Sequence, residues 1–185
     1  MTRLPDPTRE ALPEQLREAF DEIVAANSGA MPAGPGSIAI HSPEMALRRS
    51  RLSNYLRFET TIPARIRELA ILTAARCTDC AYVWNAHASA ARRAGVSDAL
   101  VDALRDNDLL PTAPADETAV ILFAMELFQT HTVSEDTFRT ALEEFGIQHL
   151  VELTAIMGQY AQNAFFLNAF AVDLPAERTE PLLPV

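Results

Sequence analysis

Apolar residues recur along the chain at helical spacing, and no run alternates apolar and polar positions between hairpin turn signals. In the first periodic stretch, residues 13–27, Leu16, Phe20 and Ile23 share one face. Residues 28–40, rich in Gly and Pro, should interrupt the helices. We expect further helices at about 43–58, 63–76, 80–94, 97–105, 116–130, 135–145 and 148–171. The sequence therefore predicts an all-α fold.

Helix start and stop signals are clearest around the two cysteines. Asp79 is a natural N-cap for a helix that runs from Cys80 to Ala94, and Gly95 follows its end. The preceding helix should end near Arg76. The pair Cys77 and Cys80 is therefore predicted to span a helix–helix turn.

We predict a single domain over residues 1–185, arranged as a helical bundle. Its core hairpin covers about 62–104, a second helical half covers about 116–171, and a tail follows at 175–185. Segment 67–72 weakly resembles segment 151–156 at an offset of 84 residues, which suggests a repeated hairpin with chemistry in the first copy only. The tail is expected to be loose or docked on a partner.

Charge and hydropathy narrow the class of protein. Fifteen basic and 25 acidic residues give a net charge of -10, which disfavours nucleic acid and anionic lipid as partners. No stretch approaches the ~20 uninterrupted apolar residues of a membrane span, and the N-terminus has no apolar run of signal-peptide length. We expect a cytoplasmic protein without membrane attachment.

Two cysteines in 185 residues do not make a disulfide scaffold, so their close spacing points to local chemistry. At a helix start, Cys80 would have a lowered pKa if solvent reaches it, and would react faster than Cys77. The alternative is that Cys80 is a small buried hydrophobe.

His87 lies two helical turns, roughly 10 Å, beyond Cys80, too far for a direct hydrogen bond. Glu68 on the preceding antiparallel helix is the nearest acidic candidate, and a buried Glu beside a His can share a proton near neutral pH. Alternatively, Glu68 is an exposed carboxylate paired with Arg65 or Arg67.

A metal site is disfavoured, because Cys77, Cys80 and His87 offer only three ligands and no second Cys or His pair follows. No Gly-rich phosphate loop is present, and we predict no cofactor.

The segment RELAILTAARCTDCAYVWNAHASAARRAGVSDALVDAL, residues 67–104, resembles the core helical hairpin of the carboxymuconolactone decarboxylase family, which includes alkylhydroperoxidase D. The resemblance covers about 62–104 specifically. It extends loosely upstream, to segments 41–46 and 56–58. It implies the alkylhydroperoxidase D-like helical fold.

The alkylhydroperoxidase D branch of that family carries a Glu, eleven residues, Cys-x-x-Cys, three residues and a His, which form a proton relay to the thiols. Glu68, Cys80 and His87 match the Glu, the first Cys and the His. Val83 stands where the second Cys would fall, so the ordinary two-thiol cycle is unavailable. Cys77 offers a partner shifted by three residues, if the turn permits a disulfide.

The resemblance also implies a substrate pocket. Tyr82 and Trp84 follow Cys80 in a Cys-x-Tyr-x-Trp pattern similar to that of non-peroxidase members, where a small organic molecule binds between helices. Packing in the core or at a subunit interface is the alternative. Three upstream residues are further candidates for this pocket: His41, Arg57 and Phe58.

Three functions remain open. The leading one is a small-molecule enzyme of the decarboxylase, lyase or isomerase kind, in which Glu68 and His87 move protons and Cys80 assists. The second is a thiol peroxidase with peroxiredoxin activity that uses Cys77 and Cys80. The third is a non-catalytic helical binding protein.

We also expect a homo-oligomer, whether dimer, trimer or hexamer. Apolar side chains near the end of the last helix, such as Phe165, Phe166 and Phe170, would invite a second subunit. The resembling families assemble in this way.

Overall fold

A computed structural model describes residues 2–178 and 180–185 and shows helices throughout, with no strand among those residues. The all-α prediction is confirmed. The helices are α1 (Arg17–Ala26), α2 (Pro35–Ala39), α3 (Pro43–Asn54), α4 (Ala64–Cys77), α5 (Ala81–Arg93), α6 (Asp98–Asp106), α7 (Ala115–Thr130) and α8 (Glu135–Ala169). Within the described residues, no helix has the length and apolar character needed to cross a membrane.

Most predicted helices occur within a few residues of their expected bounds, with one difference. The short helix α2 lies inside the segment that we expected to be irregular; Pro35 opens it after Gly34, whose φ of 56° suits glycine. The two helices expected at 135–145 and 148–171 are the two parts of α8, which are separated at Gly146 by a non-helical backbone (φ 68°, ψ 171°).

The chain forms two compact units. The first comprises the residues up to Glu59 together with Phe165–Asp173, and the second comprises Thr60–Ala164 together with Leu174–Val185. The core hairpin of α4 and α5 therefore lies entirely in the second unit, with α6, α7 and most of α8.

Helix α4 is buried on nearly every side. Leu69, Ala70, Ile71 and Leu72 are consecutive and each is at most 1% exposed. A helix that is apolar all round belongs inside a core. Glu68 directly precedes this buried run, and its side chain is only 13% exposed.

The C-terminal tail packs against its own unit, contrary to the expectation that it is loose or docked on a partner. Arg76 Nη1 donates a hydrogen bond of 2.7 Å to the Pro184 carbonyl. Arg92 Nε lies 3.3 Å from Glu180 Oε2, and Leu183 is only 3% exposed. One hydrogen bond, one ion pair and one apolar side chain therefore hold the tail, and the periodicity of the sequence shows none of them.

Candidate active site

Glu68 and His87 meet between the two helices of the core hairpin. His87 Nδ1 lies 2.8 Å from Glu68 Oε2, and the two side chains are only 12% and 13% exposed respectively. The structure thus favours the predicted pairing over an exposed Glu68. The guanidinium of Arg65, one of the alternative partners, contacts Asp116 and Glu117 instead.

The imidazole of His87 is held from a second direction by Tyr160 on α8. The two rings meet edge to face, with centroids 5.0 Å apart and an interplanar angle of 88°. In the tautomer whose Nδ1–H donates to a carboxylate, the other ring nitrogen, Nε2, is free to accept a proton. The arrangement resembles the carboxylate–imidazole pairs that act as general acids and bases.

Cys80 does not occupy the position that we predicted. Asp79 has a left-handed φ of 48°, and α5 begins at Ala81, so Cys80 itself is the N-cap. Cys80 is fully buried. Burial raises its thiol pKa, against the opposing effect of the backbone N–H groups of Val83 and Tyr82. A lowered pKa was expected only if solvent reaches Cys80; its burial removes that condition and agrees with the alternative of a small buried hydrophobe.

Cys77 is the last residue of α4 and is half-buried. Burial raises its pKa to about 11, while the Arg76 charge lowers it and the Asp79 charge raises it further. The side chain lines a cavity of about 200 Å³ with Leu104, Asn107 and other residues of the second unit. Both cysteines are free thiols.

The two aromatic residues after Cys80 differ from each other. Tyr82 is half-buried, and burial raises its pKa. Trp84 is 1% exposed and belongs to the core, which agrees with the alternative that this ring packs in the core. Its indole Nε1 is buried without a hydrogen-bond partner among the described residues, so packing alone does not account for this side chain.

The three upstream candidates for the pocket lie in the first unit. His41 is partly buried, and along the chain it lies between the end of α2 and the start of α3. The Arg57 guanidinium lies 4.9 Å from the centre of the Phe58 ring, and Phe58 is 70% exposed. Their assignment to a substrate pocket with Glu68 and His87 stays a prediction.

Sequence reasoning missed the contribution of α8. Tyr160 contacts His87, and the neighbouring Gln159 is also buried. A signal was present: polar residues interrupt the most apolar stretch of the chain, residues 150–172, although that stretch packs in a core. Buried polar side chains at helical spacing are typical of sites as well as of structural networks. Within the described residues, no cluster of three or more His, Cys, Asp or Glu side chains is arranged to hold a metal.

A known protein family matches the part of the chain that contains the core hairpin. Residues 43–125 match the model of the carboxymuconolactone decarboxylase family. The predicted family resemblance is confirmed. The match includes the whole of α4 and α5, and with them all three of Glu68, Cys80 and His87. No curated protein matches the chain in sequence.

Solved structures extend the likeness to nearly the whole chain. An alkylhydroperoxidase D core protein, a peroxidase-related protein from Ralstonia eutropha JMP134, is similar with a TM-score of 0.70 at 19% identity, over 95% of this chain and 93% of that one. A peroxidase-related protein from Silicibacter sp. TM1040 has a TM-score of 0.69 at 19% identity, over 95% and 92%.

A third structure carries a different activity on the same fold. A cysteine-to-alanine variant of the debrominase Bmp8, in complex with 2,3,4-tribromopyrrole, has a TM-score of 0.67 at 18% identity and covers 95% of this chain and 91% of that one. At these identities the likeness establishes the alkylhydroperoxidase D-like fold.

Proposed function

We propose that this protein catalyses proton transfer at carbon on a small organic substrate, in a reaction of the decarboxylase, lyase or isomerase kind. The observation that supports the proposal most is the 2.8 Å contact between His87 Nδ1 and Glu68 Oε2. A histidine fixed in this way presents its other nitrogen as a general base in one step and a general acid in the next.

The geometry supports a separate role for each of the two side chains. His87 Nε2 takes a proton from a carbon next to a carbonyl group, or delivers one to the carbanion that remains after CO₂ leaves. Glu68 keeps the imidazole in the required tautomer and stabilises the imidazolium that forms. The low exposure of both side chains limits competition from water, which strengthens the interaction between the two charges.

Cys80 has an assisting role in this proposal. Its buried thiol stays protonated at neutral pH, because burial raises its pKa. A neutral thiol is a weak hydrogen-bond donor and a poor nucleophile. The proposal therefore needs no second thiol, and it is compatible with Val83 standing where the peroxidase motif has its other cysteine.

The test uses two carbon acids as probes: the unsaturated lactone α-angelica lactone and the β-keto acid acetoacetate. Deuterium uptake in D₂O is followed by NMR for the lactone, and CO₂ release for the keto acid. We expect Glu68→Gln and His87→Gln each to lose at least about 10²-fold in kcat, the usual scale of a general acid–base contribution.

Two controls accompany these variants. Glu143→Gln makes the same charge change at an exposed position of α8 and should leave turnover unchanged. Cys77→Ser should keep most activity. Turnover that survives in both Glu68→Gln and His87→Gln, or that neither probe shows in the parent protein, would contradict the proposal.

A second candidate function is a thiol peroxidase that cycles through a Cys77–Cys80 disulfide. It is favoured by the position of the two cysteines at the end of α4 and the N-cap of α5. In that function a hydroperoxide would transfer one oxygen to one thiol, which gives a sulfenic acid and an alcohol. The other thiol would attack the sulfenic sulfur and release water, and an external dithiol would then reduce the disulfide. The raised pKa values of both thiols make this the weaker candidate.

We also propose that the protein is cytoplasmic and acts as a homo-oligomer. Exposed apolar side chains are present in each unit, including Phe165 at 66% and Ile147 at 76% exposure. Such residues are typical of subunit interfaces when they cluster. Sedimentation at micromolar concentration should give a mass well above that of the 20.3 kDa chain; a compact monomer would contradict this.

A further inference from the structure

The second part of α8 exposes one stripe of side chains on the surface of the second unit. Ile147 is 76% exposed and Val151 is 64% exposed. Further exposed positions follow at intervals of three or four residues: Thr154, Gly158 and Gln162. This spacing places these residues, the α8 stripe, on one side of the helix. It is also the spacing with which two helices pack against each other.

The α8 stripe is uncharged, although the chain as a whole is strongly acidic. Between residues 147 and 164 the only acidic or basic side chains are Glu152 and His149. Glu152 is 7% exposed, and His149 Nε2 lies 2.8 Å from Thr61 Oγ1. A helix face that stays in water normally carries charged residues. The first part of α8 does so and exposes Glu135, Asp136, Arg139, Glu143 and Glu144.

Gly158 lies within the α8 stripe and is not required by packing among the described residues. A Cβ atom added at this position would meet nothing within 4 Å. A glycine inside a helix destabilises it relative to alanine. Close approach by a group from outside the chain accounts for the glycine, because the missing side chain leaves a gap in the surface of the helix.

The apolar surface continues beside the α8 stripe. Ile147 and Val151 line a groove of about 620 Å³ together with Phe138 and Leu142 from the first part of α8. Phe138 is 42% exposed. The stripe alone is roughly 22 Å long at 1.5 Å per residue, which is narrow for a stable interface of about 800 Å² per partner. The groove supplies further apolar area next to it.

We propose that the α8 stripe and the adjoining groove form the interface with a second copy of this chain, in which the two α8 helices pack antiparallel about a two-fold axis. In this register Val151 of one protomer lies against Gly158 of its partner. Ile147 then lies against Gln162 of its partner, as the same two-fold axis requires.

The charge of the chain favours a second copy over other partners. A net charge of -10 makes two copies repel each other wherever acidic surfaces meet. The α8 stripe allows contact without bringing acidic groups together. It offers no carboxylate that would recognise a basic protein, and no Lys or Arg that would bind a nucleic acid or an anionic membrane.

Charge and shape also favour the antiparallel direction. Glu143 and Glu144 precede the α8 stripe along the chain, so a parallel pair would place these residues of both protomers at the same end. An antiparallel pair separates them by the length of the stripe. It also sets the branched side chain of Val151 opposite Gly158, which has no side chain, rather than opposite a second valine.

Sedimentation velocity at micromolar concentration tests the interface. Val151→Glu places a carboxylate in the contact and should raise the dissociation constant of the protomer pair about 10²-fold or more, so that the mass falls by half. Gly158→Leu fills the gap with a side chain that has open space in the free chain, and it should dissociate the pair as well. The matched control Ala99→Glu adds the same charge at an exposed position of α6 and should keep the mass of the parent.

Cysteine cross-linking tests the direction of the two helices. Val151→Cys and Gly158→Cys are introduced together in a Cys77→Ser background, and the protein is mildly oxidised. The two introduced thiols are about 10 Å apart along one helix, too far for a disulfide within a chain. We therefore expect a disulfide between protomers in the double variant and almost none in Val151→Cys alone.

The outcomes separate this inference from the rest of the account. A parent protein that sediments as a compact monomer overturns both the inference and the proposed assembly. An oligomer that persists in both Val151→Glu and Gly158→Leu overturns the inference and leaves assembly through another surface. Efficient cross-linking of Val151→Cys alone overturns the antiparallel arrangement. The proton chemistry is independent of all three results, since deuterium uptake tests it separately.

A folding defect would not hide the answer. Val151 and Gly158 are both exposed, so cooperative thermal unfolding should persist in both variants and show that a lower mass reflects dissociation. Should Val151→Glu unfold, Gly158→Leu decides alone. A folded Gly158→Leu with the mass of the parent would then overturn the inference.

Discussion

The core hairpin carries chemically reactive side chains in two places, and the two places differ. At the turn, Cys77 and Cys80 are half-buried and fully buried, and burial raises the pKa of both thiols. Along the helices, Glu68 and His87 are in direct contact and each keeps slightly more than a tenth of its side chain exposed. The turn has the spacing of a redox motif without ready thiolates, whereas the middle of the hairpin has a formed acid–base pair.

The difference shows how burial can cancel the effect of a helix N-terminus. The backbone N–H groups at the start of α5 do favour a thiolate at Cys80, but loss of solvent opposes them and is the larger effect. For Glu68 and His87, the partner that each needs is in place at 2.8 Å. Proximity of complementary groups, rather than position on a helix, distinguishes the stronger candidate site.

The contrast between the cysteine turn and the middle of the hairpin would fail most clearly if Glu68 and His87 acted independently of each other. Because they are hydrogen-bonded, we expect the double variant Glu68→Gln/His87→Gln to lose no more turnover than the worse single variant, at least about 10²-fold. Deuterium uptake into α-angelica lactone provides the measurement. Losses that multiply in the double variant would mean that the two side chains contribute separately.

Thiol labelling compares the reactivity of the two cysteines at the turn. Cys77 should react with iodoacetamide well over 10-fold faster than Cys80 in the folded protein, since only Cys77 has solvent access. Its rate should rise about 10-fold per pH unit and level off only near its pKa of about 11. Peptide mass spectrometry of partially labelled protein distinguishes the two. Faster labelling of Cys80 than of Cys77, or a labelling rate that levels off near pH 7, would show instead that the helix start carries a reactive thiolate.

Substitutions of Tyr160 test whether its ring positions the imidazole of His87. Loss of the ring contact in Tyr160→Leu should lower kcat about 3- to 10-fold, the scale of an aromatic pair. Tyr160→Phe keeps the ring and should retain more of the activity. Equal losses in Tyr160→Leu and Tyr160→Phe, with both variants folded, would assign the effect to the hydroxyl instead.

The smallest effect on turnover is expected at Arg65. The variant Arg65→Gln leaves the carboxylate of Glu117, which is 4% exposed, without its cation and should cost about 1–3 kcal/mol of unfolding free energy. Turnover per folded molecule should stay unchanged. Arg139→Gln, which breaks an exposed pair with Asp136, is the control and should cost less than about 1 kcal/mol. A raised KM in Arg65→Gln at unchanged stability would show that Arg65 serves the substrate.

Much of the fold could be predicted because helical periodicity and cap residues are local signals. Pro43 and Pro63 mark helix starts, and Gly146 marks the break inside α8. Helix α2 could not be predicted in this way, since its five residues, Pro35–Ala39, are too few to show a helical period. The start of α5 shifted by one residue because Asp79 takes a left-handed backbone conformation, which its identity alone does not reveal.

The candidate site was only partly visible in the sequence. The register of Glu68 and His87 relative to the family motif pointed to their pairing, and the structure brings them together. Tyr160 and Gln159 lie more than seventy residues further along, and only tertiary packing decides that α8 meets the hairpin at this point. The burial of Cys80 is likewise a property of the packed unit.

The most direct test of the central claim is a peroxide pulse followed by non-reducing peptide mapping, carried out alongside the lactone assay. If Glu68 and His87 carry the activity without a thiol cycle, Cys77 and Cys80 should remain separate thiols after the pulse. Deuterium uptake into α-angelica lactone should then persist in Cys77→Ser. A Cys77–Cys80 disulfide that forms during the pulse, together with peroxide reduction that Cys77→Ser abolishes, would contradict the account and make the thiol peroxidase the function of this protein.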